Sequence, residues 1–225
     1  MKNIIITGAS KGIGYATALE FAAQEHQVLA IARTKSKLVE LEEKSGGIIK
    51  GVEADLTRQN DTLYIEEHFS KVDIVIHNAG YLVNKPFKDI TEKELEASYR
   101  LNAMVPFMFT QQVLPYLNPD AHILMIGSVG GVTGTQKFPG LSAYSSSKAA
   151  MSCLAEVLQA EYAETGITFN SLALGAVQTE MLAAAFPGYQ APVTPASMAK
   201  YIVNFALSAP SVIRGKTTLV SRTNP

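Results

Sequence analysis

The residues best placed to do chemistry are Tyr144 and Lys148. On a helix, positions four apart share one face and stand one turn apart, so this spacing sets a phenol beside an ammonium. A free tyrosine titrates near ~10 and is a poor acid–base group at neutral pH. A nearby positive charge favours the phenolate and lowers that value, which would let Tyr144 give and take a proton. Upstream, Ser128 closes an apolar run, and its hydroxyl can orient an oxygen of a bound molecule. His26, His68, His77 and His122 show no metal-ligand spacing, so no metal is expected. Cys153 falls on the same helix beyond Lys148 and reads as core.

A second constellation lies near the start of the chain, at Thr7-Gly8-Ala9-Ser10-Lys11-Gly12-Ile13-Gly14. Gly8 permits a tight turn, Gly12 lets the backbone approach a pyrophosphate, and Gly14 lets the following helix pack close to its strand. Free N–H groups at that helix start then point at the anion, with Ser10, Lys11 and Ile13 completing the cradle. The selectivity position for a dinucleotide is the end of the second strand, where a carboxylate would bind a ribose 2′-hydroxyl. Here the chain reads Ile31-Ala32-Arg33-Thr34, with no acid. Arg33 offers a planar charged fork suited to a 2′-phosphate, and Lys11 adds a second cation. The pattern favours NADP(H) as cofactor.

These groups need elements to hold them. Strands are predicted at 3–7, 27–32, 48–53, 72–77, 121–127, 167–173 and 217–220, and helices at 12–24, 35–44, 58–70, 92–117, 142–164 and 196–207. Strands such as Ile4-Ile5-Ile6 and Ile74-Val75-Ile76 are apolar throughout, as a strand covered on both faces requires. Strand–helix alternation implies parallel strands joined by right-handed crossovers. The expected fold class is α/β: a single doubly wound, seven-stranded parallel sheet with helices on both faces, a Rossmann fold occupying residues 1–225 as one domain. Two irregular stretches, Ser128–Leu141 and Phe186–Pro195, are expected beside the carboxyl edge of the sheet, where such folds bind ligands.

Composition narrows the partners. Among 225 residues, 19 lysines and arginines face 20 aspartates and glutamates, so bulk electrostatics gives no hold on nucleic acid. One cysteine allows no intramolecular disulfide and suits a reducing compartment. The first apolar run is too short for a signal-peptide core, and no run nears the ~18 apolar residues of a membrane helix. A cytoplasmic protein with no membrane partner is expected.

Taken in order, the pieces resemble the short-chain dehydrogenase/reductase family. They are the Thr-Gly-x-x-x-Gly-x-Gly cradle, Asp55-Leu56, Asn78-Ala79-Gly80, Asn102, Ser128 and Tyr144-x-x-x-Lys148. The resemblance implies an NADP(H)-dependent oxidoreductase moving a hydride between nicotinamide and a carbonyl or alcohol carbon of a small molecule. It assigns Tyr144 as general acid/base, Ser128 as orienter of the substrate oxygen, and Lys148 also to the nicotinamide ribose. By the same resemblance Asn102 anchors a water linking the lysine to solvent. Asp55 accepts from the adenine amino group, with Leu56 beside it, and Asn78, Ala79 and Gly80 bracket the adenine-side ribose. Helix capping by Asp55 and strand termination by Asn78 are equally open to those residues. His77 stands where the family commonly has another asparagine.

After the sixth strand, Leu174-Gly175-Ala176-Val177-Gln178-Thr179 resembles the family's Pro-Gly-x-x-x-Thr segment, with leucine for proline. Gly175, Val177 and Thr179 are then expected around the nicotinamide carboxamide. A short substrate loop, about 180–194, suggests an open cleft or a bulky substrate. Relatives imply a homodimer or homotetramer. Two other readings stay open: a catalytically silent dinucleotide-binding regulatory or scaffold protein, and an epimerase or dehydratase on the same fold. Proteins of the silent kind usually lose the tyrosine or lysine, and this chain has both.

Overall fold

The computed structural model describes residues 1–58 and 65–222. Its seven strands are β1 (Asn3–Thr7), β2 (Gln27–Ala32), β3 (Ile49–Glu53), β4 (Val72–His77), β5 (Leu117–Ser128), β6 (Thr168–Leu174) and β7 (Thr217–Val220). They form one parallel sheet in the order β3-β2-β1-β4-β5-β6-β7. The three consecutive isoleucines of β1 show why these runs are strands. Successive side chains point to opposite faces, and here both faces are dry. Ile4 and Ile6 enter one core, Ile5 the other.

The first core lies under α1 (Gly12–Ala23), α2 (Lys35–Lys44) and α7 (Pro195–Ser208), which contribute Phe21, Leu41 and Ile202. On the opposite face Phe109 and Val113 of α4 (Val105–Val113) and Met151 and Ala155 of α5 (Ser142–Glu161) close the second. The chain runs from β1 outward to β3, then returns to β4 on the other flank of β1. The turns after β1 and β4 therefore diverge and open a crevice at the carboxyl edge.

Three elements differ from the sequence expectation. The long helix over 92–117 is broken into α3 (Glu92–Tyr99), a π turn over Arg100–Met104, α4, and a 3-10 turn over Leu114–Tyr116. Pro106 explains the first break, since it has no N–H and its ring crowds the carbonyl four residues back. The wider turn relieves that crowding and sends the Val105 N–H to the Arg100 carbonyl. Pro115 stops the second segment, and β5 starts directly at Leu117. Of the helix expected over 58–70, residues 59–64 lie outside the described residues. The remainder of that stretch forms a 3-10 turn, Ile65–Glu67, and irregular chain up to β4. The stretch read as a substrate loop carries a helix, α6 (Glu180–Ala185), whose first turn is capped by the Thr179 hydroxyl accepting from the Leu182 N–H at 3.2 Å. Among the described residues, no helix is long and apolar enough to cross a membrane.

Candidate active site

At the switch between β1 and β4 the strand ends are laced together. Asn78 donates its amide to the carbonyls of Thr7 and Gly8, both at 3.0 Å, and the N–H groups of Asn78 and Ala79 converge on the Thr7 hydroxyl at 3.1 Å. Gly8 sits at φ +69°, and a methyl there would stand 2.6 Å from the Ala79 Cα, so the turn accepts only glycine. Gly12, at φ +56°, is crowded by Thr179, whose Cγ2 would lie 3.2 Å from an added methyl, so glycine is favoured there as well. Lys11 occupies the cap position of α1 with no side-chain cap, which leaves the helix start to an outside acceptor. A pyrophosphate fits this arrangement. Gly14 lies behind the wall, packed against Asn78 and Gly8, and acts through packing rather than contact.

From this cradle a cleft of about 660 Å³ runs along the carboxyl edge. Gly8, Ser10, Lys11, Gly12 and Ile13 line one part of it, and Arg33, Asp55 and Leu56 the β2–β3 end. Arg33 is exposed there. Thr34 is off the wall, at the start of α2, where its side chain makes no capping bond. Asp55 accepts from the N–H (3.1 Å) and hydroxyl (2.7 Å) of Thr57. Burial pushes its carboxyl up, but those two bonds and the charges of Arg33 and Arg58 outweigh it and hold the group below its ordinary value. These bonds, on a residue that also faces the cleft, close a turn over Leu56–Thr57, with no helix starting there among the described residues.

Toward β5 the cleft is walled by Asn78, Ala79, Gly80, Ser128, Tyr144 and Lys148. Tyr144 and Lys148 share one face of α5, as their spacing requires, and the Ser128 hydroxyl is near enough to the phenol to act on its titration. Burial pushes the phenol up to about 12, against the pull of the Ser128 hydroxyl. This reverses the expectation that the lysine would acidify it. Lys148 is 3% exposed, its own value is brought down to about 8 by burial, and its Nζ donates to the Ile126 carbonyl at 2.8 Å. His77 is held at about 3, first by burial and then by the Lys148 charge, and its Nε2 pairs with the Thr110 hydroxyl at 2.9 Å. It is a neutral core residue.

Asn102 does not reach the cleft wall. Its Oδ1 accepts from the Tyr81 N–H (2.8 Å), and its Nδ2 donates to the Tyr81 carbonyl (2.8 Å) and the Ser147 hydroxyl (2.9 Å). The side chain is spent on tying the segment after β4 to α5, next door to Lys148. Cys153, expected in the core, is exposed on α5. Beyond β6, Gly175, Val177 and Thr179 do line the cleft, the first anchored through its N–H to the Val220 carbonyl at 2.9 Å.

Sequence reasoning marks the stretches around 128–141 and 186–195 but misses their site residues. Gln136, Phe138 and Leu141 come from the first, Phe186 and Tyr189 from the second, and Leu82 from the segment after β4. The glycines and prolines signal irregular chain, but which side chain turns inward depends on long-range ties. Among the described residues no group of three or more histidines, cysteines or acids could hold a metal.

A family model described as short chain dehydrogenase matches residues 2–190. The chain is 31% identical over 189 residues to a glucose 1-dehydrogenase of Gluconobacter oxydans, covering 79% of this chain and 70% of that one. It is 29% identical over 222 residues to a fatty acyl-CoA reductase of Mycobacterium tuberculosis, covering 93% and 74%. A crystal structure of 3-ketoacyl-(acyl-carrier-protein) reductase from Brucella melitensis complexed with NADH superposes with a TM-score of 0.87 over 98% of this chain and 96% of that one, at 23% identity. With the family model spanning most of the sequence and the cradle, cleft and hydroxyl pair in place, this chain belongs to the short chain dehydrogenase family of oxidoreductases.

Proposed function

We propose that this protein is an NADP(H)-dependent carbonyl reductase or alcohol dehydrogenase in which Tyr144 is the general acid/base. The observation that carries the reading is the Tyr144–Ser128 hydroxyl pair standing in the same cleft as the uncapped start of α1. The nicotinamide, when bound, supplies or accepts the hydride. The chain supplies orientation and the proton. Ser128 holds the substrate oxygen beside the phenol, and Tyr144 passes its proton to that oxygen as the carbonyl becomes an alcohol. Lys148, nearly buried in the cleft wall, would hold the nicotinamide ribose, and Asn102 positions its helix. Asp55, Asn78 and Gly80 suit the adenosine half, while Gly175, Val177 and Thr179 suit the carboxamide.

Lys11 and Arg33 favour a 2′-phosphate, because both are cleft-lining cations with no acid at the end of β2 to greet a free ribose hydroxyl. The same reading takes residues 1–225 as one domain, working in the cytoplasm as a homodimer or homotetramer. A silent dinucleotide sensor would have no use for a tyrosine, serine and lysine gathered in this way.

The test is NADPH consumption against a panel of ketones and aldehydes, wild type beside Tyr144→Phe. The variant should lose about 10²–10⁴-fold in kcat while still binding NADPH; wild-type turnover without the hydroxyl refutes the mechanism. Arg33→Ala should weaken NADPH binding roughly 10–100-fold and leave NADH unchanged. An equal effect on both cofactors defeats the 2′-phosphate assignment.

A further inference from the structure

The cleft's charges are distributed unevenly. Of its ionised side chains, Lys11, Arg33 and Asp55 stand on the cradle and β2–β3 side. Glu180 belongs with the cradle too, since its Oε2 would lie 3.6 Å from a methyl on Gly12. Lys148 is turned into the floor, onto the Ile126 carbonyl.

Beyond Tyr144 the wall changes character. Three segments far apart in sequence are strapped together there. The Lys85 N–H donates to the Gly140 carbonyl at 3.0 Å, and the Asn84 side chain donates to the Ala185 carbonyl at 2.7 Å. These ties bring Leu82, Phe138 and Phe186 to one end of the cleft, with Tyr189 hydrogen-bonded through its N–H to the Phe186 carbonyl at 3.1 Å. Phe138 and Tyr189 are 42% and 47% exposed, so two rings stand partly open to water at the mouth. Gln136 is the one amide on this stretch of wall.

We infer that the substrate is an uncharged, bulky apolar carbonyl compound or its alcohol, aromatic for preference, held between Phe138 and the Phe186–Tyr189 turn. The inference rests on the carbonyl–alcohol reading above. A carboxylate or phosphate near the reacting carbon would lose its water with no cation on this stretch of wall. The nearby ammoniums of Lys85 and Lys137 are off it, engaged by Glu94 and by the Val132 carbonyl and Thr135 hydroxyl. A sugar's hydroxyls would meet only Gln136 and the Tyr189 phenol. Flat apolar rings would instead cover exposed apolar surface and stack on the two rings at the mouth.

Three probes test this with NADPH: acetophenone, 4-carboxyacetophenone and fructose. The wild type should favour acetophenone in kcat/KM by at least about tenfold over each of the others. Phe138→Lys, at an exposed position that tolerates a polar residue, should cut the acetophenone-to-carboxyacetophenone ratio by at least about tenfold, mainly through KM. Turnover of the carboxylated or sugar probe as fast as acetophenone overturns this inference alone, as does an unchanged ratio in Phe138→Lys. Failure to reduce any of the three, with NADPH still bound, overturns the carbonyl–alcohol reading and this inference with it.

Discussion

Lys148 is a buried ammonium held at a cost, and replacing it with methionine makes that cost measurable. The ammonium is 3% exposed and burial brings its value from 10.5 to about 8. At about 1.4 kcal/mol per pH unit, that displacement withholds about 3 kcal/mol of stability at neutral pH. The unfolded chain keeps the lysine proton up to pH 10.5, the folded chain only up to about 8. Stability therefore rises with pH across that window as the folded lysine becomes neutral. Lys148→Met removes the charge, keeps most of the length, and forfeits the bond to the Ile126 carbonyl, worth about 1 kcal/mol. Net, the variant should be about 2 kcal/mol more stable than wild type at pH 7. The gap should shrink by about 2 kcal/mol by roughly pH 9.5, because the wild type recovers that much of its withheld stability. Urea unfolding at both pH values reads the gap directly, since every other titrating group is common to the two chains. A constant gap, or a wild type more stable at pH 7, refutes the argument that burial governs this lysine.

Gly8→Ala forces a left-handed backbone onto alanine, at about 1–2 kcal/mol, and drives its methyl to 2.6 Å from the Ala79 Cα. Denaturation should show that loss or more, with NADPH binding abolished in whatever remains folded; retained binding would mean the cradle is not the phosphate site. Thr91→Ala deletes the capping box of α3, in which Thr91 and Glu94 satisfy each other's N–H groups. It should cost about 1 kcal/mol in urea unfolding and leave KM untouched, because α3 starts outside the cleft.

Legibility in the sequence tracks the range of the interactions involved. Ile4-Ile5-Ile6 announces a doubly covered strand because both faces of β1 are buried, a fact written in three consecutive letters. Tyr144 and Lys148 are legible for the same reason, as helical spacing alone puts them on one face. Phe138 and Phe186 are not, because they face the cleft through the Lys85–Gly140 and Asn84–Ala185 ties, the second spanning 101 positions. Asn102 is visible as a motif residue, but its direction is not: the π turn around Pro106 fixes which way it points. The sign of the Tyr144 displacement escapes too. Spacing locates the neighbouring charge, whereas the depth of burial that overrides it belongs to the folded packing.

Burial acts on Tyr144 and Lys148 in one sense, favouring the neutral form of each. With a value of about 12, Tyr144 holds its proton across the physiological range, as the proposed donor role requires. Giving that proton away leaves the phenolate, which at pH 7 costs about 7 kcal/mol. The Ser128 hydroxyl already lowers that cost in part, but Lys148 gives little because its Nζ is turned to the Ile126 carbonyl. On the proposed reading, turnover in either direction passes through that phenolate, so lowering its cost is what the site must do. A further positive charge brought against the phenol, such as the oxidised nicotinamide ring of the proposed cofactor, would lower that cost.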